Sequence, residues 1–322
     1  MDRTSVHYAL SINTARKVNE MKLRELLVER YAILHNLKDR TVELFSSSLD
    51  RFGDFLRREP EVSDLDDLTV SQFLRWRSQT PHRGRIPAPA TVRKDQAHIV
   101  SLWNHAARKR LPGKNGQPVD FPDLARNIVR VPQHVKSGYT VEEVSRMVNA
   151  ARERIRKVGP VPGDWFFATL IQAAWYTGTR IGALLAVEWQ DIDWDQSTMT
   201  FRGEHSKGGV KTLIRQLPAS LLEELRAGKR AQTERVWPWN DYRVGQTSIG
   251  TALTMICWTA DVKPRGFHAI RRASGSYVAA AGGDASEHLA HSNPKTTRDH
   301  YLDPRIVRQS SALDFLPPLK LD

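Results

Sequence analysis

The sequence predicts a mainly helical protein with one small antiparallel β-sheet, divided into two domains. Apolar residues recur every three or four positions over most of residues 14–111 and again after residue 139, the pattern of amphipathic helices. Residues 194–218 instead alternate polar and apolar side chains, with a glycine pair as a turn and Pro218 as a stop, which is typical of a hairpin. Residues 112–138 are rich in Pro, Gly and Asn and lack periodicity, so we predict an interdomain linker there.

The composition is ordinary for a soluble globular protein. With 322 residues, 40% of them apolar and 26% charged, the chain is long enough for two domains with proper cores. It carries 48 lysines and arginines against 36 aspartates and glutamates, a formal net charge of +12. This balance favours a polyanionic partner such as nucleic acid, although a basic but merely solvated surface has the same composition.

The cysteine content and the hydropathy pattern limit the cellular compartments in which the protein is expected. The single cysteine, Cys257, excludes intramolecular disulfides and CxxC metal clusters, and its apolar neighbours predict a place in the core. No apolar run reaches membrane-spanning length, and the polar first residues lack the features of a secretory signal. We therefore expect no membrane association and a reducing compartment.

Four helices are predicted over residues 14–111, after a short tail of residues 1–13. The helices lie at about Thr14–Leu34, at about Asp39–Arg58, from a capping box at Thr69–Gln72 onward, and from about Thr91 onward. Basic side chains gather in the loop before the fourth helix and on that helix. They are Arg83, Arg85, Arg93, Lys94, Arg108, Lys109 and Arg110. These are candidate phosphate contacts, and the alternative is an ordinary solvated helix face.

The second domain, residues 139–303, opens with a capping box at Thr140–Glu143 that starts a helix. A buried helix is predicted for Asp164–Thr177, and the predicted hairpin follows it. Further helices are predicted from Ser220 and over Ser248–Thr259, and the Trp-rich stretch VWPWNDYR between them is interpreted as a surface loop with partial burial.

The side chains best suited to catalysis lie in the segment GFHAIRRASGSYVAAAGGDASEHLAHSNPKTTRDHYLD. His268 and Arg271 lie three apart in a predicted helix and so share one face, which presents a titratable ring beside a fixed cation. His291 follows, and Asn293-Pro294 predicts a helix start. Tyr301 lies at the end of that helix and is the only tyrosine after Tyr277. A tyrosine in such a place is a candidate nucleophile.

Cleavage of a phosphodiester requires cationic donors for the non-bridging oxygens, and a nucleophile with proton-transfer partners. Upstream, TGTRIGALL supplies Arg180, and the predicted hairpin supplies Lys207 or Lys211. The order of Arg180, a hairpin lysine, His268, Arg271, His291 and Tyr301, within the boxes TGTRIGALL, HAIRR and LAHSNPKTT, resembles the tyrosine recombinases, also called the phage-integrase family. The resemblance covers about residues 139–301.

This resemblance implies a role for each residue. Arg180 and Arg271 would hold the scissile phosphate. The alternative is that both are structural arginines that bind helix C-termini. Tyr301 would attack phosphorus and form a 3′-phosphotyrosine, which conserves the bond energy, so that no cofactor, metal ion or ATP is expected. Because a phenol is mostly protonated at neutral pH, a proton acceptor is needed, and His268 is the residue implied. The alternative for Tyr301 is a packed aromatic.

Two further roles leave alternatives open. Lys207 is preferred as the general acid that protonates the departing 5′-oxygen, while Lys211 competes for that role and is otherwise a candidate DNA contact. His291 would hydrogen-bond the phosphate or support the transition state, and a buried histidine that caps backbone is the alternative. The sequence also departs from the common pattern at Ala183, where an acidic residue is usual, and at Tyr301, which lies one residue later after His291 than in many members, with His300 between them.

The resemblance also implies a location, partners and an assembly. The expected location is the cytoplasm of a bacterium or of a phage-infected host, in association with the nucleoid. A helical core-binding domain and the catalytic domain would close as a clamp around double-stranded DNA at attachment or core sites. The chain would form a homotetramer on synapsed DNA and a monomer or weak oligomer when free, with the apolar tail of residues 304–322 exchanged between protomers or docked in cis. The expected function is site-specific recombination. The alternatives are relaxation of supercoils by a type IB topoisomerase and sequence-specific DNA binding without catalysis.

Overall fold

The computed structural model of the chain describes residues 21–124, 129, 137–154, 156–203, 212–228, 233–241 and 248–307. The chain divides into two compact units, Met1–Gln133 and His134–Asp322, and each has its own hydrophobic core. The predicted N-terminal tail, the apolar end of the predicted C-terminal tail, and both Lys207 and Lys211 lie outside the described residues. The predicted fold class, mainly helical with one small antiparallel sheet, is confirmed.

The first unit is helical throughout its regular elements. Helix α1 consists of three consecutive segments, Leu23–Glu25, a π-helical Leu26–Tyr31, and Ala32–Leu34. It is followed by α2 (Asp39–Leu56), α3 (Asp67–Gln79) and α4 (Pro89–Arg108). Helix α4 begins with proline, which suits the first helical position because its missing N–H has no partner there in any case. The inward faces of these helices bury Phe52, Phe73 and Trp103 at the centre of the unit.

The predicted start of the third helix was wrong. The sequence suggested a capping box at Thr69–Gln72, which would start the helix at Val70, but α3 begins three residues earlier, at Asp67. The N-cap is Asp66, whose carboxylate accepts from the Thr69 backbone N–H at 2.9 Å and from the Thr69 hydroxyl at 2.8 Å. Aspartate is a strong N-cap because its charge also meets the positive end of the helix dipole, so it prevails over the threonine.

The second unit surrounds one long buried helix. In chain order its helices are α5 (Val141–Arg152), α6 (Gly163–Thr177), α7 (Ile181–Leu184), α8 (Ala219–Gly228), α9 (Ile249–Thr259), α10 (Phe267–Ala280), α11 (Ala285–His288) and α12 (Pro294–His300). The capping box predicted at Thr140 and Glu143 is present at the start of α5. Helix α6 is buried on nearly every face, which explains why its sequence lacks a polar stripe.

The sheet has three antiparallel strands in the order β1 (Ile192–Asp193), β2 (Thr198–Phe201) and β3 (Leu213–Gln216). The central strand pairs Met199 with Ile192 on one side and with Arg215 on the other. Met199 and Phe201 point into the core of the unit, so the alternation of the sequence follows the alternation of buried and outward side chains.

The interpretation of the Trp-rich stretch as a partly buried surface loop was wrong for its first residues. Val236 and Trp237 are both fully buried, and the Trp237 indole donates to the Thr169 hydroxyl at 3.1 Å. The backbone explains this burial: Val236 N–H donates to Val187 O at 2.9 Å, and the Trp189 N–H donates to Glu234 O at 3.1 Å. This strand-like pairing with a distant segment draws the stretch into the core, and local sequence carries no sign of it.

Two predictions from composition can be compared with the fold. Cys257 is fully buried in the core of the second unit, as predicted. None of the helices in the described ranges combines the length and the apolar character that crossing a bilayer requires.

Candidate active site

Arg180 is presented by a tight turn after the buried helix α6. Gly178 ends the helix with φ +59°, in the left-handed region that favours glycine, and its N–H donates to Ala174 O at 3.2 Å. The Thr179 N–H donates to the Thr177 hydroxyl at 3.2 Å, and both threonines are buried. Arg180 then serves as the N-cap residue of α7 and is half-buried. The arginine therefore projects from backbone that the core holds firmly.

Alanine at position 178 is expected to disrupt this turn. An added Cβ would lie 2.6 Å from His288 Nε2 and 3.2 Å from Leu289 Cδ2, and a left-handed alanine costs about 1–2 kcal/mol before any contact is counted. We expect Gly178→Ala to displace Arg180 and to lower the free energy of unfolding by about 2–3 kcal/mol.

The control is Gly182→Ala, in the next turn, where an added Cβ meets no atom within 4 Å. Urea unfolding of both variants checks the prediction. Equal effects of the two substitutions would contradict it.

Arg271 joins three segments of the chain beneath the site. Its side chain is only 3% exposed, and it donates to the carbonyl oxygens of Gly178 and Leu289. Nη2 also lies 3.0 Å from His291 Nε2. Because helix α10 carries the arginine, the Arg180 turn and the His291 loop are both held against this one helix.

The charges of Arg180 and Arg271 are not balanced by acid. Among the described residues neither guanidinium forms an ion pair with a carboxylate. Burial first, and then the positive charge of Arg180, lower the pKa of Arg271 to about 10. The guanidinium remains charged at neutral pH, so the site holds two cations that repel each other. Such a place attracts an anion, and two forked guanidinium groups suit the oxygens of a phosphate.

His291 is neutral at pH 7 and has a defined tautomer. Since arginine can only donate, Nε2 accepts from Arg271, and the ring proton lies on Nδ1, 2.8 Å from the Thr297 hydroxyl. The Ser286 hydroxyl in turn lies 3.1 Å from Thr297 Oγ1. Burial, followed by the charges of Arg271 and Arg180, lowers the pKa of His291 to about 4. The same cations that would bind a phosphate therefore keep this imidazole uncharged.

The ring of Tyr301 contacts His291 and lies beside the Arg271 guanidinium. Tyr301 follows the last residue of α12, whose start at Asn293-Pro294 is as predicted, with the Asn293 side chain accepting from the Lys295 N–H at 2.9 Å. The phenol ring packs edge-on against His291 at 4.4 Å between centroids, and the Arg271 guanidinium lies 5.4 Å from the ring centroid. His268 is exposed on α10 with its ring centroid 6.3 Å from that of Tyr301. The structure thus brings together five of the predicted residues, Arg180, His268, Arg271, His291 and Tyr301.

The family model described as the phage integrase family matches residues 139–306 of the chain. The chain belongs to the phage integrase family. It is 28% identical over 225 residues to the tyrosine recombinase XerC of Roseiflexus sp. (strain RS-1), an alignment that covers 67% of this chain and 63% of that protein. A second relative, from Pseudomonas aeruginosa, is 24% identical over 188 residues, which cover 56% of this chain and 42% of the relative. The chain thus spans 42% to 63% of the length of these relatives.

Solved structures of similar fold come from the same group of proteins. The XerH site-specific recombinase bound to its palindromic difH substrate in a post-cleavage complex has a TM-score of 0.64 and 15% identity, covering 85% of this chain and 78% of that one. A lambda integrase tetramer bound to a Holliday junction has a TM-score of 0.58 and 16% identity, covering 90% of this chain and 84% of that one. At these identities the likeness concerns the fold.

Two residues of this phage-integrase site did not stand out in the sequence. Arg215 Nη2 donates at 2.9 Å to the carbonyl oxygens of both Glu287 and His288, so strand β3 is joined to the end of α11, just before His291. Period-two counting along β3 puts Arg215 on the same face as Leu213 and Leu217, which was the available signal. Strand β3 is also the return strand of the hairpin predicted to carry the general acid.

His288 is the second of these residues. Its Nε2 lies 2.7 Å from the Ser274 hydroxyl, directly beneath Gly178. Burial first, then the charges of Arg215 and Arg271, lower the pKa of His288 to about 4. Its place three residues before His291 was the only sequence signal that it could share the site.

The depressed pKa of His288 predicts a loss of stability in mild acid. Between its ordinary value near 6.5 and about 4, the unfolded chain binds a proton at this ring and the folded chain does not, so stability is full above pH 6.5 and falls below it. After discounting for partial exposure, we expect a cost of about 1 kcal/mol between pH 7 and pH 5.

His288→Gln should remove that part of the pH dependence, as measured by urea unfolding at both pH values. His300→Gln, at an exposed ring, is the control and should unfold with the pH dependence of the wild type. If His288→Gln loses as much stability on acidification as the wild type, the neutral state of His288 is wrong.

The basic residues predicted to contact DNA belong to the first unit and form two groups. Arg83, Arg85, Arg93 and Lys94 lie in the loop before α4 and in its first turns, whereas Arg108, Lys109 and Arg110 lie at its other end. At about 1.5 Å per residue the groups are roughly 22 Å apart. Arg93 also donates to Val129 O at 3.2 Å, and Lys94 lies 3.5 Å from the Asp95 carboxylate. The exposed members remain predicted DNA contacts.

A metal site was not predicted. Within the described ranges no three His, Cys, Asp or Glu side chains are grouped closely enough to hold a metal ion.

Proposed function

We propose that the chain is a site-specific DNA recombinase that cleaves and rejoins DNA through a 3′-phosphotyrosine. The observation that carries the proposal is the cluster of Tyr301 with the buried guanidinium of Arg271 and the neutral ring of His291. Two cations that form no ion pair with a carboxylate of the described residues supply the charge that a phosphodiester needs, and a phenol beside them supplies the nucleophile. Membership of the phage integrase family supports the same assignment.

The chemistry begins with the scissile phosphate between Arg180 and Arg271. Their donors neutralise its non-bridging oxygens and the charge that develops as phosphorus becomes pentacoordinate. The negative charge of the phosphate opposes the effect of the two cations on His291, so the pKa of that ring rises on DNA binding. His291 then takes a proton from solvent at Nε2, where it no longer accepts from Arg271, and donates a hydrogen bond to the phosphate.

Nucleophilic attack follows. The Tyr301 oxygen bonds to phosphorus while the bond from phosphorus to the 5′-oxygen breaks, and the phenolic proton passes to His268. The leaving 5′-oxygen takes a proton from the hairpin lysine, for which Lys207 is preferred and Lys211 is the alternative. Rejoining is the reverse reaction with the 5′-hydroxyl of another strand. Because the phosphotyrosine conserves the bond energy, the scheme needs neither ATP nor a metal ion.

The proposed partner is double-stranded DNA. Residues 14–111 are assigned as a core-binding domain and residues 139–303 as the catalytic domain, with the predicted linker of residues 112–138 between them. Exchange of strands between two duplexes requires four cuts, which favours a homotetramer on synapsed DNA, the state of the lambda integrase neighbour on a Holliday junction. Residues 304–322 would supply exchanged contacts within that tetramer.

The test is covalent capture on DNA. A duplex selected from a random-sequence pool by its affinity for the protein is nicked at successive positions, so that the cleaved fragment diffuses away and traps the intermediate. We expect a protein–DNA adduct on a denaturing gel, with the DNA 3′-phosphate attached to the peptide that contains Tyr301 by mass spectrometry.

The alternatives give different outcomes. Tight binding without an adduct would favour a DNA-binding protein without cleavage activity. An adduct together with relaxation of supercoils, but without exchanged strands between two duplexes, would favour a type IB topoisomerase.

A further inference from the structure

The backbone on both sides of Tyr301 is tied to helix α10. Arg272 Nε donates to His300 O at 3.3 Å, and the single Ser276 hydroxyl proton is shared between Arg272 O at 2.8 Å and Tyr301 O at 3.2 Å. The same hydroxyl accepts from the Asp303 N–H at 2.8 Å. Arg272 and Ser276 are almost completely buried. The residues before, at and after the candidate nucleophile therefore have fixed partners on the helix that carries Arg271.

Asp303 adds a second attachment. Its side chain is 0% exposed, and Oδ2 accepts from the Gly138 N–H at 2.8 Å and from Arg305 Nη2 at 2.6 Å. Arg305 Nη2 also donates to Gly138 O at 3.3 Å. Although burial opposes the charge, the hydrogen bonds from Arg305 and Gly138 keep the pKa of Asp303 below its usual range. A carboxylate two residues after Tyr301 is thus anchored to Gly138, near the start of the second unit.

Burying the Asp303 carboxylate and its partners costs free energy of folding, so net stability alone does not account for this network. Burying a charge costs several kcal/mol, and the pairing with Arg305 and Gly138 offsets the cost only because every partner is in place. What a fully satisfied network adds is a single geometry, because any other backbone position leaves buried groups without partners. Residues 301–307, which follow α12, form neither helix nor strand, so we infer that this network fixes the position of the phenol.

We propose that Ser276 and Asp303 are positioning residues that hold the Tyr301 backbone in register with the phosphate bound at Arg271. This inference rests on the proposed function. Ser276 is five residues after Arg271 on the same helix, so the nucleophile and the phosphate-binding cation are placed by one rigid element. A displacement of about 1 Å between reacting atoms costs on the order of 100-fold in rate, so the network acts on the rate of attack and leaves DNA affinity unchanged.

The experiment measures adduct formation at saturating DNA, and DNA affinity separately, for Asp303→Ala, Asp303→Asn and Ser276→Ala in the full chain. We expect each alanine variant to lose about 10- to 100-fold in adduct rate with Kd changed less than about 2-fold. Asp303→Asn can still accept from Gly138 and should recover most of the rate. The control is Asp299→Ala, whose carboxylate lies 3.6 Å from Arg298 at the surface of α12, and it should cleave at the wild-type rate.

A second readout bypasses the tyrosine. In a Tyr301→Phe background, hydrogen peroxide is supplied as a small nucleophile that attacks the bound phosphate in place of the phenol. If Asp303 and Ser276 act only through the position of Tyr301, their alanine variants should cleave with peroxide at the rate of the background, whereas Arg271→Met should not.

The outcomes separate this inference from the function it rests on. Absence of an adduct in the wild type would contradict the proposed function itself. A wild-type adduct with an equally fast Asp303→Ala variant overturns the positioning role. Equal losses of the tyrosine-driven and the peroxide-driven cleavage also overturn it, because the whole site would then have been distorted.

Discussion

Replacement of Arg271 by methionine is expected to slow formation of the covalent adduct by at least about 10³-fold. One preorganised donor to a developing negative charge is worth about 10²–10³ in rate, and Arg271 supplies both a full charge and more than one donor. Methionine is unbranched and of similar length, so it fills the space without the charge. Its effect should appear in the rate at saturating DNA, since the arginine acts most strongly on the pentacoordinate state.

The same substitution tests the structural part of the role. Without the guanidinium, the carbonyl oxygens of Gly178 and Leu289 lose their donor, which costs about 1–3 kcal/mol each and is partly offset because no charge is buried any longer. We expect a net loss of about 2 kcal/mol in urea unfolding. The control is Arg152→Met, at an exposed arginine that pairs with Glu224 at 2.6 Å, where both rate and stability should stay near wild type. A cleavage loss of less than about 10-fold in Arg271→Met would refute its assignment to the phosphate.

Tyr301→Phe is expected to abolish the adduct, with a loss of at least about 10⁴-fold against the wild type on the nicked duplex. The substitution removes only the attacking oxygen, and a bound phosphate has no other nucleophile of comparable reactivity at that position. The phenyl ring keeps its edge-on contact with His291 and its place beside Arg271, so the folded state and DNA affinity should change little.

Tyr176→Phe provides the matched control, since Tyr176 is an exposed tyrosine of the same unit on α6. It should form the adduct at the wild-type rate. An adduct that persists in Tyr301→Phe would assign the nucleophile to another residue, and peptide mapping would identify it.

The parts of this site that depend on local signals could be predicted from the sequence. Asn293-Pro294 marks the start of α12 because capping and the fixed φ of proline are local effects, and the spacing of His268 and Arg271 follows from helical geometry. The contacts of Arg271 with Gly178 and Leu289 depend on how three distant segments pack, and no periodicity encodes that packing. The same limit applies to Arg215 and Asp303, whose roles come from partners more than 70 and more than 160 residues away.

The mutual repulsion of Arg180 and Arg271 makes the empty site a less stable state of the protein than the filled one. The electrostatic energy of two close like charges is released when an anion binds between them, so it favours the binding of an anion at this site. By mass action, a ligand that binds only the folded chain raises its thermal stability. The melting temperature of the second unit is therefore expected to rise when a phosphodiester binds between the two arginines.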